Sequence, residues 1–150
     1  MGEEIWEQSN GRVSAFVQSV GTAGWLRGIS TRLRVHEEAV HMVAVEPEES
    51  AVLSGRPSGS HTIEGTGAGF VVPLWSEGLA DEIQTISTRE AMATTRRLAW
   101  EEGLVAGTST GANVAVALRV AARLGPGHTV VTVAVDSGMK YLSTELYSGT

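Results

Sequence analysis

The sequence predicts an α/β domain of three layers, with a mostly parallel sheet and helices on both of its faces. Short runs rich in β-branched residues, at positions 13–20, 41–45, 81–86 and 129–135, alternate with longer stretches of helical periodicity, which is the rhythm of βα units. The last of these runs, TVVTVAV, has almost no polar alternation. A strand covered on both faces reads this way, and the run is expected to be central. Glycine is enriched, 18 in 150 residues against a usual share of ~7%, and clusters where apolar runs end. Such clusters allow backbone to approach a ligand closely.

In chain order, the first strand at 13–20 runs directly into Gly21-Thr22-Ala23-Gly24, which opens a helix. After the second strand, residues 47–73 loosen into Ser, Gly, Pro and His, a long excursion of the kind that is usually functional. The third strand meets Ser87-Thr88-Arg89-Glu90, a capping box in which Ser87 bonds the third amide and Glu90 reaches back. That helix runs to Gly103, a natural residue just past a helix end. It has a buried stripe at Ala91, Thr94, Leu98 and Ala99, and Arg96, Arg97, Glu101 and Glu102 face solvent as ion pairs. A second helix spans about Gly111 to Leu124, with small residues on nearly every face, and Gly125-Pro126-Gly127 stops it before the final strand. No repeat, low-complexity tract or linker divides the chain, so residues 1–150 are read as one domain.

Eleven basic against seventeen acidic residues leave a formal charge of −6. No basic stripe marks a nucleic-acid or anionic-membrane partner. The absence of cysteine removes disulfides, thiolate metal sites and thiol nucleophiles together. No apolar run approaches the ~20 residues of a membrane helix, and acids occupy positions 3 and 4 where a signal peptide carries Lys or Arg. Trp6 breaks the myristoylation pattern. The expected compartment is the cytoplasm.

The glycine clusters carry the chemistry. Gly21-Thr22-Ala23-Gly24 follows a strand and opens a helix, so its amides form an anion site with the Thr22 hydroxyl as an added donor. The bland reading, a tight turn that needs glycine for steric reasons, stands beside it. Gly65-Thr66-Gly67-Ala68-Gly69 lies within the long excursion. In Gly107-Thr108-Ser109-Thr110-Gly111 the serine sits where a helix N-cap does. The five letters also satisfy a nucleophile-elbow pattern, but the strand before it is weak and no histidine is assigned to it. His36, His41, His61 and His128 show no metal-ligand spacing. Glu46-Pro47-Glu48-Glu49 reads as a solvated turn, although Glu46 also falls near the ~20-residue offset of a ribose-binding acid. Lys140 is the only lysine, so Schiff-base chemistry uses Lys140 or imports its amine.

In this order, Glu4-Ile5-Trp6-Glu7-Gln8, Ala15-Phe16-Val17-Gln18-Ser19-Val20-Gly21-Thr22, Val45-Glu46-Pro47, Gly65-Thr66-Gly67-Ala68-Gly69-Phe70, Glu101-Glu102-Gly103-Leu104 and Asp136-Ser137-Gly138 with Tyr141-Leu142-Ser143-Thr144 resemble the C-terminal half of the cysteine synthase (O-acetylserine sulfhydrylase) and cystathionine β-synthase family. The resemblance implies a truncated fold-type II pyridoxal-phosphate enzyme. It implies pyridoxal 5′-phosphate as cofactor, with Gly21, Thr22, Ala23, Gly24 and Trp25 as phosphate cradle and Ser109 at the pyridine nitrogen. It also implies Gly65, Thr66 and Gly67 in the loop that closes over the substrate, an amino acid of the O-acetylserine type whose β-substituent is replaced by sulfide. Two departures bear on this. Ala23 stands for a usual glycine and Trp25 for a common hydroxyl residue, which lowers the expected phosphate affinity. Lys140 does not correspond to the family's Schiff-base lysine, which the resemblance places in the half of the family that precedes this match. The expectation is a fragment or split form, inactive alone, completed as a homo-oligomer or by a separate N-terminal half. The alternative is a non-catalytic binding or interaction domain descended from that fold.

Overall fold

The computed structural model describes residues 1–148. Helix α1 (Gly2–Gln8) precedes strand β1 (Ala15–Ser19), helix α2 (Gly24–His36) and strand β2 (His41–Pro47). Strand β3 (Glu82–Ile86), helices α3 (Thr88–Glu101) and α4 (Thr108–Leu124), strand β4 (Val130–Thr132) and helix α5 (Glu145–Ser148) follow. The four strands form one parallel sheet in the order β3-β2-β1-β4.

Successive side chains of a strand point to opposite faces, and here each face has its own core. Phe16, Met42 and Ala44 pack with Leu26, Ile29 and Leu33 of α2. Ala15, Val17, Val43 and Val45 pack with Ala112, Ala115, Val116 and Val120 of α4. The result is the three-layer arrangement that the near-continuous apolar runs require.

The final strand differs from expectation. It covers Val130–Thr132 rather than 129–135, and among the described residues it is an edge strand, not a central one. Its apolar character registers coverage on both faces, since Val131 packs into the α2-side core and Val130 against the α4-side core. Beyond Thr132 the chain leaves the ladder for side chains of α4. The Asn113 amide donates to the Val133 carbonyl at 3.2 Å, and the Val135 N–H donates to Thr110 Oγ1 at 3.0 Å.

Helix α1 was not foreseen, because seven residues offer too short a period to read. It is held from outside, by Trp6 stacked on His36 with centroids 4.9 Å apart and by Glu3 against Arg32 and His36. At α3 the capping box is half formed. Ser87 Oγ accepts from the Glu90 N–H at 3.3 Å, but the Glu90 carboxylate is drawn to Arg119 at 2.5 Å instead of back to the cap. Arg97 pairs with Glu101 at 3.0 Å, whereas Arg96 donates to the carbonyls of Glu145 and Leu146 and so fastens the C-terminal helix. Helix α4 begins at Thr108, earlier than expected, with Gly107 rather than Ser109 at its cap. No described helix is long and apolar enough to cross a membrane.

Glu46, at the end of β2, is 2% exposed and is no solvated acid. Its carboxylate accepts from the N–H groups of Leu53 and Ser54 at 2.8 and 2.9 Å and from the Ser54 hydroxyl at 2.5 Å. Both oxygens are thus committed to the chain's own turn, which removes the ribose-binding reading. At the opposite end of the sheet Glu82 faces Arg123, whose guanidinium holds its carboxyl down to about 2, with His41 and Gln84 adding hydrogen bonds and burial opposing them. The unfolded carboxyl protonates nearer 4.5. The stabilisation from Glu82 is therefore complete above that value and is lost as pH falls toward 2. In urea unfolding, the stability advantage of the protein over Glu82→Gln is expected to shrink across that window; a gap independent of pH would contradict the pairing.

Candidate functional site

Strands β1, β2 and β3 progress in one direction across the sheet, and β4 lies on the other side of β1. In open α/β sheets the crevice beyond the carboxyl ends of the strands at such a reversal is where ligands bind. Asn113, fully buried, bridges the two chain segments there: its Oδ1 accepts the Ser19 N–H at 2.6 Å and its amide donates to the Val133 carbonyl at 3.2 Å. A cavity of about 440 Å³ opens beyond Gln18 and Ser19, within the roughly 300–1,000 Å³ of small-molecule sites.

One wall is the 21–25 loop with the N-terminus of α2. A turn this tight leaves the first amides of the helix without intrahelical partners and aimed at the cavity. Ala23 reverses the chain in the left-handed region at φ 66°, a conformation that costs a residue with a Cβ about 1–2 kcal/mol. The Thr22 hydroxyl accepts from the Gly24 N–H at 3.3 Å and keeps its own proton to donate. Trp25 is 43% exposed on the rim.

The facing wall is the first turn of α4, where three successive hydroxyls divide the work. Thr108 Oγ1 accepts from the Glu64 N–H and donates to the Thr62 carbonyl, each at 3.2 Å, which ties the long loop to the helix. Thr110 holds Val135. Between them Ser109, 5% exposed, lines the cavity, and among the described residues its hydroxyl has no hydrogen-bond partner. The loop closes over the top. The Gly67 N–H donates to the Val20 carbonyl at 3.1 Å, and the Gly65 carbonyl lies so close to Gly21 that a Cβ there would sit under 3.0 Å from it.

The third side comes from the segment after β4. Tyr141 donates its hydroxyl to Asp136 Oδ2 at 2.6 Å, and Lys140 Nζ lies 2.9 Å from the same oxygen. Burial, reinforced by the Asp136 carboxylate, pushes Tyr141 up to about 12. Hydrogen bonds to Asp136 and Tyr141 hold the Lys140 ammonium above its ordinary range.

The structure thus brings Gly21, Thr22, Ala23, Gly24, Trp25, Gly65, Thr66 and Ser109 around one cavity. Gly67 lies behind the lining, where His61 and Pro47 would meet a Cβ. Gln18, Glu64, Asp136, Lys140 and Tyr141 are lining residues that sequence reasoning did not assign to a site. A glutamine inside an otherwise apolar strand was the available signal for Gln18.

The donor set suits a small planar ligand bearing a phosphate. Backbone amides and a helix N-terminus favour the anion at one end, and a free, nearly buried hydroxyl faces them from the other wall. No histidine lines the cavity, so Ser109 has no imidazole base within the site.

The chain matches the family described as pyridoxal-phosphate dependent enzymes over residues 1–136. It is 43% identical over 148 residues to the cysteine synthase of Staphylococcus aureus strain N315, covering 98% of this chain and 48% of that protein. Among solved structures it is similar to O-acetylserine sulfhydrylase isoform 3 from Entamoeba histolytica, with 42% identity and a TM-score of 0.94 over 97% of this chain and 44% of that one. The O-acetylserine dependent cystathionine β-synthase from Helicobacter pylori follows at 36% identity and a TM-score of 0.92, over 97% and 47%. The chain spans about half the length of the relatives that it matches.

Proposed function

The chain belongs to the family of pyridoxal-phosphate dependent enzymes, and from that premise we propose that it forms the cofactor-phosphate side of a cysteine synthase-like enzyme. In that enzyme the β-substituent of an O-acetylserine-type amino acid is replaced by sulfide. The observation that carries this reading is the convergence of the α2 N-terminus and the unpartnered Ser109 hydroxyl on one cavity. The amides of the 21–25 loop and the Thr22 hydroxyl take the phosphate. Ser109 meets the ring nitrogen as a neutral partner and leaves it unprotonated. Gly65 and Thr66 shape the substrate side and exclude water. Pyridoxal phosphate, when bound, supplies a ring that stabilises negative charge at the α-carbon of an amino acid.

Lys140 does not serve as the covalent anchor in this account. Its amine is held protonated against Asp136, and an ammonium has no lone pair with which to attack a carbonyl. The anchoring amine comes from outside these 150 residues, and the chain alone does not turn over. After incubation with pyridoxal phosphate and borohydride reduction, peptide mapping is expected to find Lys140 unmodified; a phosphopyridoxyl group on Lys140 would overturn this assignment. Ser109→Ala is expected to weaken pyridoxal-phosphate binding about fivefold, as for loss of one hydrogen bond. The melting temperature of the free protein should stay unchanged, because the Ser109 hydroxyl has no hydrogen-bond partner among the described residues. Unchanged affinity would remove Ser109 from the site.

Exposed apolar side chains flank the cavity on two sides. Trp25 and Leu74 are exposed beside the α2 N-terminus, and Met139 and Leu142 are exposed beyond Asp136. Apolar surface of this kind marks an interface, and the reading assigns it to a homo-oligomer or to a separate polypeptide carrying the other half of the site. Sedimentation velocity of the purified chain is expected to show a dimer or larger species; a monomer at all concentrations would leave only the second partner.

A further inference from the structure

Two helix N-termini face the cavity, one on each wall. Gly24, Trp25 and Leu26 at the start of α2 line one side, and Ser109 in the first turn of α4 lines the other. The two ends are built alike. Neither helix has a side-chain cap or an acid in its first turn. The first amides of each therefore lack intrahelical partners and carry the positive end of the helix dipole. On these grounds alone either end would take an anion, and a ligand with one phosphate would enter in two orientations.

Asp136 breaks the equivalence. The residues on both sides of it are tied to the start of α4. The Val135 N–H donates to Thr110 Oγ1 at 3.0 Å, and Ser137 forms a bridge with Ala106. The Gly138 N–H adds a bond to the Val105 carbonyl at 2.9 Å. Clamped in this way, Asp136 lays its Oδ1 against Gly107, the cap residue of α4, where a Cβ would lie under 3.0 Å from it. That oxygen is buried and has no hydrogen-bond partner among the described residues. The other, Oδ2, accepts from the Tyr141 hydroxyl at 2.6 Å and lies 2.9 Å from Lys140 Nζ, which fixes the direction of the carboxylate. The protein's own anion thus stands at the α4 N-terminus, where negative charge is stabilised. A second anion there would meet a like charge at close range.

We propose that Asp136 is an orientation-determining residue. It closes the α4 N-terminus to anions and so directs a phosphate-bearing ligand to the 21–25 loop, with the other end of the ligand at Ser109. The inference rests on the reading that this cavity takes pyridoxal phosphate. The test is a site-resolved NMR titration with inorganic phosphate, read at the backbone amides of 21–25 and of 107–110. In the unaltered chain the amides of 21–25 are expected to shift and saturate, while those of 107–110 stay in place. Asp136→Asn keeps the shape of the side chain and removes its charge. In that variant the 107–110 amides should titrate as well, with an affinity at least about tenfold above any shown there by the unaltered chain, as for removal of a like charge beside the ion. Asp136→Ser repeats the comparison with a smaller side chain, and thermal melts establish that each variant is folded. Saturable shifts at 107–110 in the unaltered chain, an arm that needs no variant to fold, would overturn the role of Asp136 and leave the phosphate site intact. So would the absence of such shifts in a folded variant. No shift at 21–25 in the unaltered chain would overturn the cofactor reading, and this inference with it.

Discussion

Gly21→Ala is expected to lower the affinity for pyridoxal phosphate by at least tenfold, which corresponds to about 1.4 kcal/mol. The Gly65 carbonyl stands where the new methyl group would go. Both partners are backbone, so neither can swing aside as a long side chain would. Either the 21–25 loop shifts and its amides lose their common focus, or the 63–67 loop lifts and opens the cavity. The cost in folding stability should be about 1–3 kcal/mol, as for an overpacked site. Calorimetric titration with pyridoxal phosphate and a urea melt separate the two effects. Unchanged affinity would mean that the loops do not meet as described.

Gly111→Ala is expected to be the most destabilising single-methyl change in the molecule, at about 3 kcal/mol or more, with a fall in Tm of roughly 10 °C. A Cβ at this position would lie within 3.0 Å of Thr95 Oγ1, the Ala91 carbonyl oxygen and the Thr95 N–H. Here α3 and α4 cross backbone to backbone, and Thr95, itself buried, already donates to the Ala91 carbonyl at 2.8 Å. Gly111 lies two positions beyond Ser109 on α4, so the same strain displaces the cavity wall. Gly28 is the matched control. It lies within α2 with nothing within 4 Å of its would-be Cβ, so Gly28→Ala should stabilise the protein by about 1 kcal/mol through helix propensity. Thermal melts that moved the two variants in the same direction would contradict the packing described.

The parts of this fold that were legible in the sequence are those that local chemistry dictates. Ser87 caps α3 because its hydroxyl needs only the amide of Glu90, and the glycines at 21 and 24 mark a strand-to-helix turn whatever surrounds them. Partners distant in the chain were not legible. Glu90 was expected to complete its capping box, but Arg119 lies close enough to claim it. Glu46 looked like a turn acid until residues 52–54 folded back onto it. The final strand looked central because apolarity on both faces reports coverage, and coverage does not distinguish an edge from a middle. The cavity divides the same way. Its phosphate wall was readable as a glycine cluster, whereas the Asp136, Lys140 and Tyr141 group lies more than 110 positions from Gly21 in sequence and meets it only once the sheet order places β4 beside β1.

In the proposed function the α2 N-terminus holds the phosphate of the cofactor. Calorimetry of the same protein with pyridoxal 5′-phosphate and with pyridoxal tests it most directly, because the two ligands differ only in that group. Pyridoxal phosphate is expected to bind at least about tenfold more tightly than pyridoxal, as for charge-assisted hydrogen bonds to a helix N-terminus. Inorganic phosphate is expected to compete with the former under this assignment. Equal affinity for the two ligands, or no binding of either, would contradict it.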